Sequence, residues 1–462
     1  MSVLQHPDKA MQPIDIGTRL ELFVDHHLID VLDGVSLVMH HPHPMPRPAH
    51  PLTGAYITVI YDGDRYRGYY RAYKSDFTGE RADGNRGECT CYVESRDGVE
   101  WEGPNLGVIA DAGGLQNGIL DQPPFAHNFS PFLDMRPGIP GAERYKALAG
   151  TRGSGLHAFA SGDGIHWRKL ADAPAIPHNP ELHGGNAFDS QNVSFWSEAE
   201  GCYVCYFRHF RTPQGSLRTI SRATSPDFLS WTDESAAFQA PNLPGEELYT
   251  SQTHPYFRAT HIYLAFPTRF TFGQVKGDPV QDENGKVLNQ GSTDVLFMTT
   301  RAGAHAYDRL FTEAFIRPGL DPAGWENRAN YVALNVVPTG PGEMSIYNRS
   351  GHRYVLRTDG FASATAPCDG GELRTRPLRF SGRELVLNCA TAIRGGIRVE
   401  LQGADGRPLP GCALEECPPI FDDSIEHVVA WRGGSDVGRY AGRPVRLRIA
   451  MQDSDLYAFR FQ

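Results

Sequence analysis

Apolar and polar residues alternate in short runs along most of the 462-residue chain. Ala55–Tyr61, Tyr66–Tyr73, Tyr145–Gly150, Val193–Trp196, Gly201–Arg208 and His261–Phe266 read as strands, because successive strand side chains point to opposite faces. No stretch of about 12 residues carries the i, i+3, i+4, i+7 stripe of an amphipathic helix. The pattern predicts an all-β protein.

The strands are arranged in repeats. Ser95-Arg-Asp97-Gly98-Val-Glu-Trp101 recurs as Ser161-Gly-Asp163-Gly164-Ile-His-Trp167, and more loosely as Ser225-Pro-Asp227-Phe-Leu-Ser-Trp231. A fourth, eroded copy is Thr299-Thr-Arg-Ala-Gly303-Ala-His-Ala-Tyr307, displaced by an insertion around Gly273–Gly291. Asp97, Asp163 and Asp227 stand 66 and 64 residues apart, too far for one hairpin and suited to one four-stranded propeller blade. Asp-Gly marks a tight turn, and the Trp after it can pack between blades, so the motif is structural. Blades near residues 50–105, 120–170, 188–235, 250–310 and 330–365 make five, with the Leu20–Ile29 strand available to close the ring.

From Cys368 onward the strands become long and half-buried: Leu385-Val-Leu-Asn-Cys, Ile397-Arg-Val-Glu-Leu-Gln, His427-Val-Val-Ala-Trp, Val445-Arg-Leu-Arg-Ile and Leu456-Tyr-Ala-Phe-Arg-Phe. The expected organisation is therefore a five-bladed β-propeller over residues 1–367, with an N-terminal arm at 1–19, and a C-terminal β-sandwich over 368–462.

Composition narrows the function classes. A net charge of −10 with no basic run argues against nucleic acid as a partner. No apolar stretch is long enough to cross a membrane as a helix, and the first residues lack the layout of a signal peptide. The expectation is a soluble, cytoplasmic protein, with a leader already trimmed as the alternative; self-association is compatible with it. The eight cysteines lie in strand-like or scattered settings that suit packing better than a zinc site.

In a propeller, the innermost strand of each blade directs its loop ends into one central depression. Acidic residues at strand ends in apolar surroundings are then the candidates for chemistry: Asp25, Asp134, Asp189, Glu246, Glu247 and Glu343. Cleaving a glycoside needs one carboxylate as nucleophile or base and one carboxyl as proton donor. Arg71, His127, Asn192, His254 and Arg269 are candidates for holding a sugar or its acidic substituent. Each has a plainer reading: Asp25 as a turn residue bonding backbone amides, Asp189 as a strand-end cap, Asp134 as a turn in a Pro-rich loop, and Glu343 as part of an inner strand.

Leu22-Phe-Val-Asp25-His-His-Leu-Ile, His127-Asn-Phe-Ser-Pro-Phe-Leu-Asp134, Phe188-Asp189-Ser-Gln-Asn192 and Leu248-Tyr-Thr-Ser-Gln-Thr-His-Pro-Tyr resemble a group of bacterial proteins. That group is similar to the family 32 and family 43 glycoside hydrolases, the invertase and arabinanase-like five-bladed propellers. The resemblance implies a nucleophile at Asp25, a transition-state stabiliser at Asp189 and an acid/base at Glu246, 57 residues further on, with Glu247 competing for the last role. Asp25 lacks the invertase Asn-Asp-Pro setting, Asp189 lacks a following Pro, and Glu246 lacks the neighbouring Cys.

The expected activity is hydrolysis of a terminal, furanosyl or other, sugar from an oligosaccharide or small glycoside. No cofactor or catalytic metal is called for, although loose Asp and Asn clusters could hold a structural calcium. Two alternatives stand beside it. One is an inverting glycoside phosphorylase, for which Arg208, Arg269 and the Asp25-His26-His27 neighbourhood would serve phosphate; the other is a non-catalytic carbohydrate-binding protein.

Overall fold

A computed structural model describes residues 12–79, 83–109, 113–213, 215–278, 281, 290–326 and 328–462. Among them the one α-helix is the single turn Pro180–His183, and nearly all other regular structure is strand. The chain divides into two compact units: Pro42–Val355, and the described residues up to His41 together with Leu356–Gln462.

The larger unit is a succession of small antiparallel sheets. Ala55–Tyr61, Tyr66–Tyr73, Glu88–Ser95 and Gly118–Leu120 form the first. Ser130–Leu133, Tyr145–Ala149, His157–Ser161 and Arg168–Lys169 form the next, then Val193–Ser197, Cys202–His209, Thr219–Ser225 and Thr232–Asp233. His254–Tyr256, Ala259–Ala265 and Met298–Arg301 follow, and Glu247–Leu248, Thr268–Phe272 and Gly291–Val295 pair in a separate three-stranded sheet. The last of these sheets joins Val337–Gly340, Glu343–Tyr347 and Arg353–Arg357 to His43–Pro44.

The repeated turn has one hydrogen-bond pattern in its three clear copies. Ser95 Oγ, Ser161 Oγ and Ser225 Oγ each accept from the backbone N–H three residues on, at 2.9 Å. Each Asp then accepts two further amides: Asp97 those of Val99 and Glu100, Asp163 those of Ile165 and His166, Asp227 those of Leu229 and Ser230. Gly98 and Gly164 take φ of 72° and 77°, and Phe228 takes 71° in the same place. The looser copy therefore keeps the turn at the cost of a left-handed non-glycine residue, which the serine and aspartate bonds hold. The eroded copy keeps only the strand pairing, through the bridge Thr299–Asp308.

Buried amide side chains tie the sheets together where their first strands converge. Gln191 Nε2 donates to Ile57 O and Thr58 Oγ1, and Gln252 Nε2 donates to Gln191 Oε1 and Val332 O. Asn335 Nδ2 donates to Val59 O, and Thr58 forms a parallel bridge with Leu334, joining the first sheet to the last. Backbone groups that no ladder satisfies are thus paired in the interior.

Two expectations are corrected. Leu20–Ile29 does not complete the last small sheet; His43–Pro44 does, opposite Val355 and Tyr354. Proline lacks the N–H an inner strand needs, so a short Pro-bearing segment suits an edge. Glu21–Leu22 pairs instead with Phe459 and Ala458, Ile29–Asp33 pairs with Gly371–Thr375, and Phe23 and Leu28 are buried in the C-terminal core. Strand Ser36–Met39 likewise pairs with Ala362–Ala366. The unit boundaries accordingly fall at residues 41/42 and 355/356 rather than at 367.

In the smaller unit ten strands are linked through two long ones, Leu385–Gly403 and Val445–Phe461. Each reads in sequence as two strands, yet stays continuous because an irregularity, Thr391–Gly396 in the first opposite Gln452–Ser454 in the second, and not a chain-reversing turn, separates the halves. Phe380 and Phe461 stack at 3.8 Å between ring centroids in its core.

Candidate active site

Asp189 lies in the loop that leads into strand Val193–Ser197. Phe188 takes φ of 65°, and its carbonyl accepts from Asn128 Nδ2 at 2.7 Å and from Asn192 Nδ2 at 3.0 Å. Asn192 also donates to Ser190 O. Asn192, expected to touch substrate, instead folds the loop that presents Asp189.

The Asp189 carboxylate has two cationic neighbours. His127 Nε2 lies 3.1 Å from Oδ1, and Arg208 Nη2 lies 3.1 Å from Oδ2. Behind it, His127 Nδ1 is 2.9 Å from Glu88 Oε1, and Arg71 Nη1 is 3.1 Å from the same oxygen. His127 thus stands between two carboxylates. Burial works against its protonation, but Asp189 and Glu88 outweigh that and raise its pKa above the usual 6.5. Burial would likewise raise the Asp189 carboxyl, but Arg208, His127 and Arg328 hold it down at about 2. Asp189 is an anion at neutral pH, and 31% of its side chain remains exposed.

Three tyrosines surround this group. Tyr56 and Tyr331 stack at 6.0 Å, Tyr249 and Tyr331 lie at 5.6 Å, and the Tyr56 ring meets His127 edge-on at 5.7 Å. Arg71 sits 4.8 Å from the Tyr56 centroid, and Arg208 and Arg328 sit 5.3 and 5.7 Å from that of Tyr249. Burial raises the phenol pKa of Tyr56 and Tyr331, so both stay neutral beside the arginines. Asp189 opens on a cavity of about 330 Å³ that Asp83, Arg152 and Asn186 also line.

Glu246 and Glu247 lie in separate ion pairs, Glu246 just ahead of strand Glu247–Leu248 and Glu247 at its start. Glu247 pairs with Arg218, whose guanidinium lies 4.5 Å from the Tyr249 centroid, on the side of the Asp189 group. Glu246 is bound through both oxygens by Arg309 and accepts from Leu243 N. It lines a larger cavity, about 880 Å³, with Arg269, Asp294, Glu313 and Trp325. There Arg269 is held bidentate by Asp294, 2.9 and 2.6 Å. In the larger cavity Glu246 and Arg269 are each held by a partner of opposite charge, Arg309 and Asp294; in the smaller, Asp189 is held by His127 and Arg208 and stays part-exposed.

The other expected residues are held by partners outside the Asp189 group. Asp134 is buried and accepts from Lys146 Nζ at 2.7 Å and Tyr203 OH at 2.6 Å, so it holds the interior rather than a sugar. His254 is likewise corrected: Nδ1 donates to Gln252 O, Nε2 accepts from Val336 N, and burial lowers its pKa to about 4. Both nitrogens are used and the ring is neutral. Glu343 accepts from Thr339 Oγ1 and Arg353, neither of which belongs to the Asp189 group. Asp25 belongs to the smaller unit; it is buried, and its Oδ1 accepts from His27 N at 2.9 Å, the turn reading of this residue.

One group among the described residues, Asp83, Glu88 and His127, brings cation-ligand atoms within 4.8 Å of one another. The Arg71 guanidinium already contacts the Glu88 oxygen and the His127 nitrogen. A calcium ion would have to displace that positive charge, and the residues do not fit it.

Glu88, Arg208, Arg328, Arg349 and the three tyrosines were not among the principal candidates read from the chain. Glu88 opens a strand in apolar surroundings and meets the criterion that found Asp189. The others carry no local signal.

No family model and no curated protein sequence matches the chain. Among solved structures it is similar to an N-acetylgalactosamine deacetylase from F. plautii, at 11% identity over 92% of this chain and 95% of that one, with a TM-score of 0.40. It is similar to a family 32 β-fructofuranosidase of Bombyx mori at 10% identity, over 91% of this chain and 94% of that one, with a TM-score of 0.39. A family 43 α-L-arabinofuranosidase from Clostridium thermocellum is 12% identical over 64% of this chain and 82% of that one, with a TM-score of 0.39. Similarity at this level assigns no residue of the site.

Proposed function

We propose that the protein is a glycoside hydrolase acting on terminal sugars, with Asp189 as its charged working carboxylate. The observation that carries this reading is the setting of Asp189: ionised, fixed by His127 and Arg208, and facing a cavity beside a tyrosine cluster. Glycoside cleavage passes through an oxocarbenium-like transition state, and a positioned anion stabilises the positive charge that develops there. Asp83, Arg152 and Asn186, which line the cavity with Asp189, can bond sugar hydroxyls. A cavity of about 330 Å³ suits the end of a chain rather than its middle.

In this reading the small sheets of Pro42–Val355 are five propeller blades, the two three-stranded sheets counting as one, and the C-terminal strands form a β-sandwich. Of the two adjacent glutamates, Glu247 is the one whose partner, Arg218, packs on Tyr249 of the Asp189 group, and it takes the proton-donor part once substrate parts it from Arg218. The nucleophilic part expected of Asp25 is checked in the same assays.

Release of reducing sugar from a panel of aryl glycosides and oligosaccharides tests the proposal. Wild-type protein is expected to release a terminal sugar, and Asp189→Asn to lose that activity while remaining folded, with a lowered melting temperature because Arg208 loses its buried counter-charge. Unchanged release by Asp189→Asn would refute it. A phosphorylase is the second reading, favoured by the arginines around Asp189. Sugar release that requires inorganic phosphate and yields a sugar phosphate would select it.

A further inference from the structure

The Asp189 group contains more positive than negative charge. Arg71, Arg208, Arg328 and Arg349 all act on, or are acted on by, Tyr56, and His127 adds to them; among the described residues the carboxylates beside this group are Glu88, Asp189 and Asp83, fewer than the cations. Arg218 is balanced separately by Glu247. Among the described residues Arg328 and Arg349 pair with no carboxylate; Arg349 Nη1 donates to Arg328 O at 3.2 Å, which leaves both guanidinium charges unneutralised. Arg208 is 97% buried, yet its Nε and Nη1 have no hydrogen-bond partner, and the Tyr331 hydroxyl beside it has none either. Buried donors are almost always paired, and arginine recurs where a planar or tetrahedral oxyanion is gripped by parallel N–H groups. The tyrosines, being neutral, do not supply the missing negative charge.

We infer that this site takes an acidic sugar: a glycoside whose carboxylate or sulfate oxyanion is held by Arg208, Arg328 and Arg349, beside the bond that Asp189 serves. The inference rests on the glycosidase reading for the sugar and on the charge count for the oxyanion. Two sources could supply that oxyanion, the sugar itself or free phosphate; the structure is read as holding the former, because Asp189, the carboxylate of the proposed glycosidase site, stands 3.1 Å from Arg208 and opens on a cavity.

Calorimetric titration of the whole protein with glucuronate and galacturonate, against glucose and galactose, tests it without requiring turnover. The acids are expected to bind at least about tenfold tighter than the neutral sugars, with a preference that shrinks as salt is raised. Arg349→Gln and the double variant with Arg328→Gln should abolish the preference, read in each variant as the ratio of acid-sugar to neutral-sugar affinity. Arg349→Lys, which keeps the charge, should retain part of it. Equal affinity for acid and neutral sugars, or a preference surviving in the double variant, overturns the inference. Inorganic phosphate is the second arm. Competition with the uronates but no effect on sugar release supports a sugar-borne oxyanion, whereas release that depends on phosphate overturns it. If uronates bind preferentially and no glycoside is cleaved, the oxyanion site stands and the hydrolase reading fails.

Discussion

Asp189 and Glu246 are two carboxylates of one unit, each beside arginine and each facing a cavity, and they are built to opposite ends. Around Glu246 the charges close on themselves: Arg309 covers both its oxygens and Arg269 is held by Asp294. Around Asp189 they do not: Arg208 and His127 hold the carboxylate, and Arg328 and Arg349 are left without a counter-ion among the described residues. A closed pair contributes cohesion, because removing either partner strands the other in a poor solvent. An open cluster keeps binding capacity for something that arrives from outside. Cavity size alone would favour Glu246, whose cavity is the larger; the charge arrangement favours Asp189.

The comparison can be broken at several points. Glu246→Gln should cost about 3 kcal/mol or more of stability, read by chemical denaturation, because Arg309 would stay buried without its counter-charge. A loss under about 1 kcal/mol would mean that the pair is not closed. His127→Gln should lower sugar release by about 100-fold, since it frees the Asp189 side chain and removes a positive neighbour.

The pH dependence follows from the same pair of groups. The depressed Asp189 pKa gives stability that is present above the usual carboxylate range and is lost as pH falls through about 2. The raised His127 pKa gives stability that is complete below 6.5 and is lost as pH rises through the higher folded value. Activity that needs both charged forms should therefore fall on an alkaline limb above pH 6.5, and that limb should vanish in His127→Gln. Glu247→Gln should slow cleavage of poor leaving groups about tenfold more than that of 4-nitrophenyl glycosides, as loss of a proton donor requires. Asp163→Ala, which removes two amide bonds from the repeated turn, should cost about 1–2 kcal/mol in thermal unfolding. Asp25→Ala should cost about 1 kcal/mol if the residue serves only its turn, with sugar release intact.

Much of the architecture was legible because it is written locally. Alternation gave the strands, and the Ser-x-Asp-Gly turn recurs with bonds that any one copy predicts, even where Phe228 replaces the glycine. His43–Pro44 escaped because two residues carry no period. The long strands Leu385–Gly403 and Val445–Phe461 escaped because an irregularity and a turn look alike in a run of glycine and polar residues. At the candidate site, Asp189 was legible as an acid at a strand end, and His127 and Arg71 as residues suited to holding a sugar. Asp134 and His254 met the same two criteria but are buried among partners that use them, and neither burial nor partner supply is encoded nearby. The arginines were least visible of all: an arginine with a buried carboxylate and one without are the same letter.

The most direct test places the two carboxylates side by side: initial rates of sugar release by Asp189→Asn and Glu246→Gln, both folded, on the best substrate of the panel. The account predicts a loss of at least about 1,000-fold for Asp189→Asn and less than about tenfold for Glu246→Gln. A crippled Glu246→Gln beside an active Asp189→Asn would contradict it.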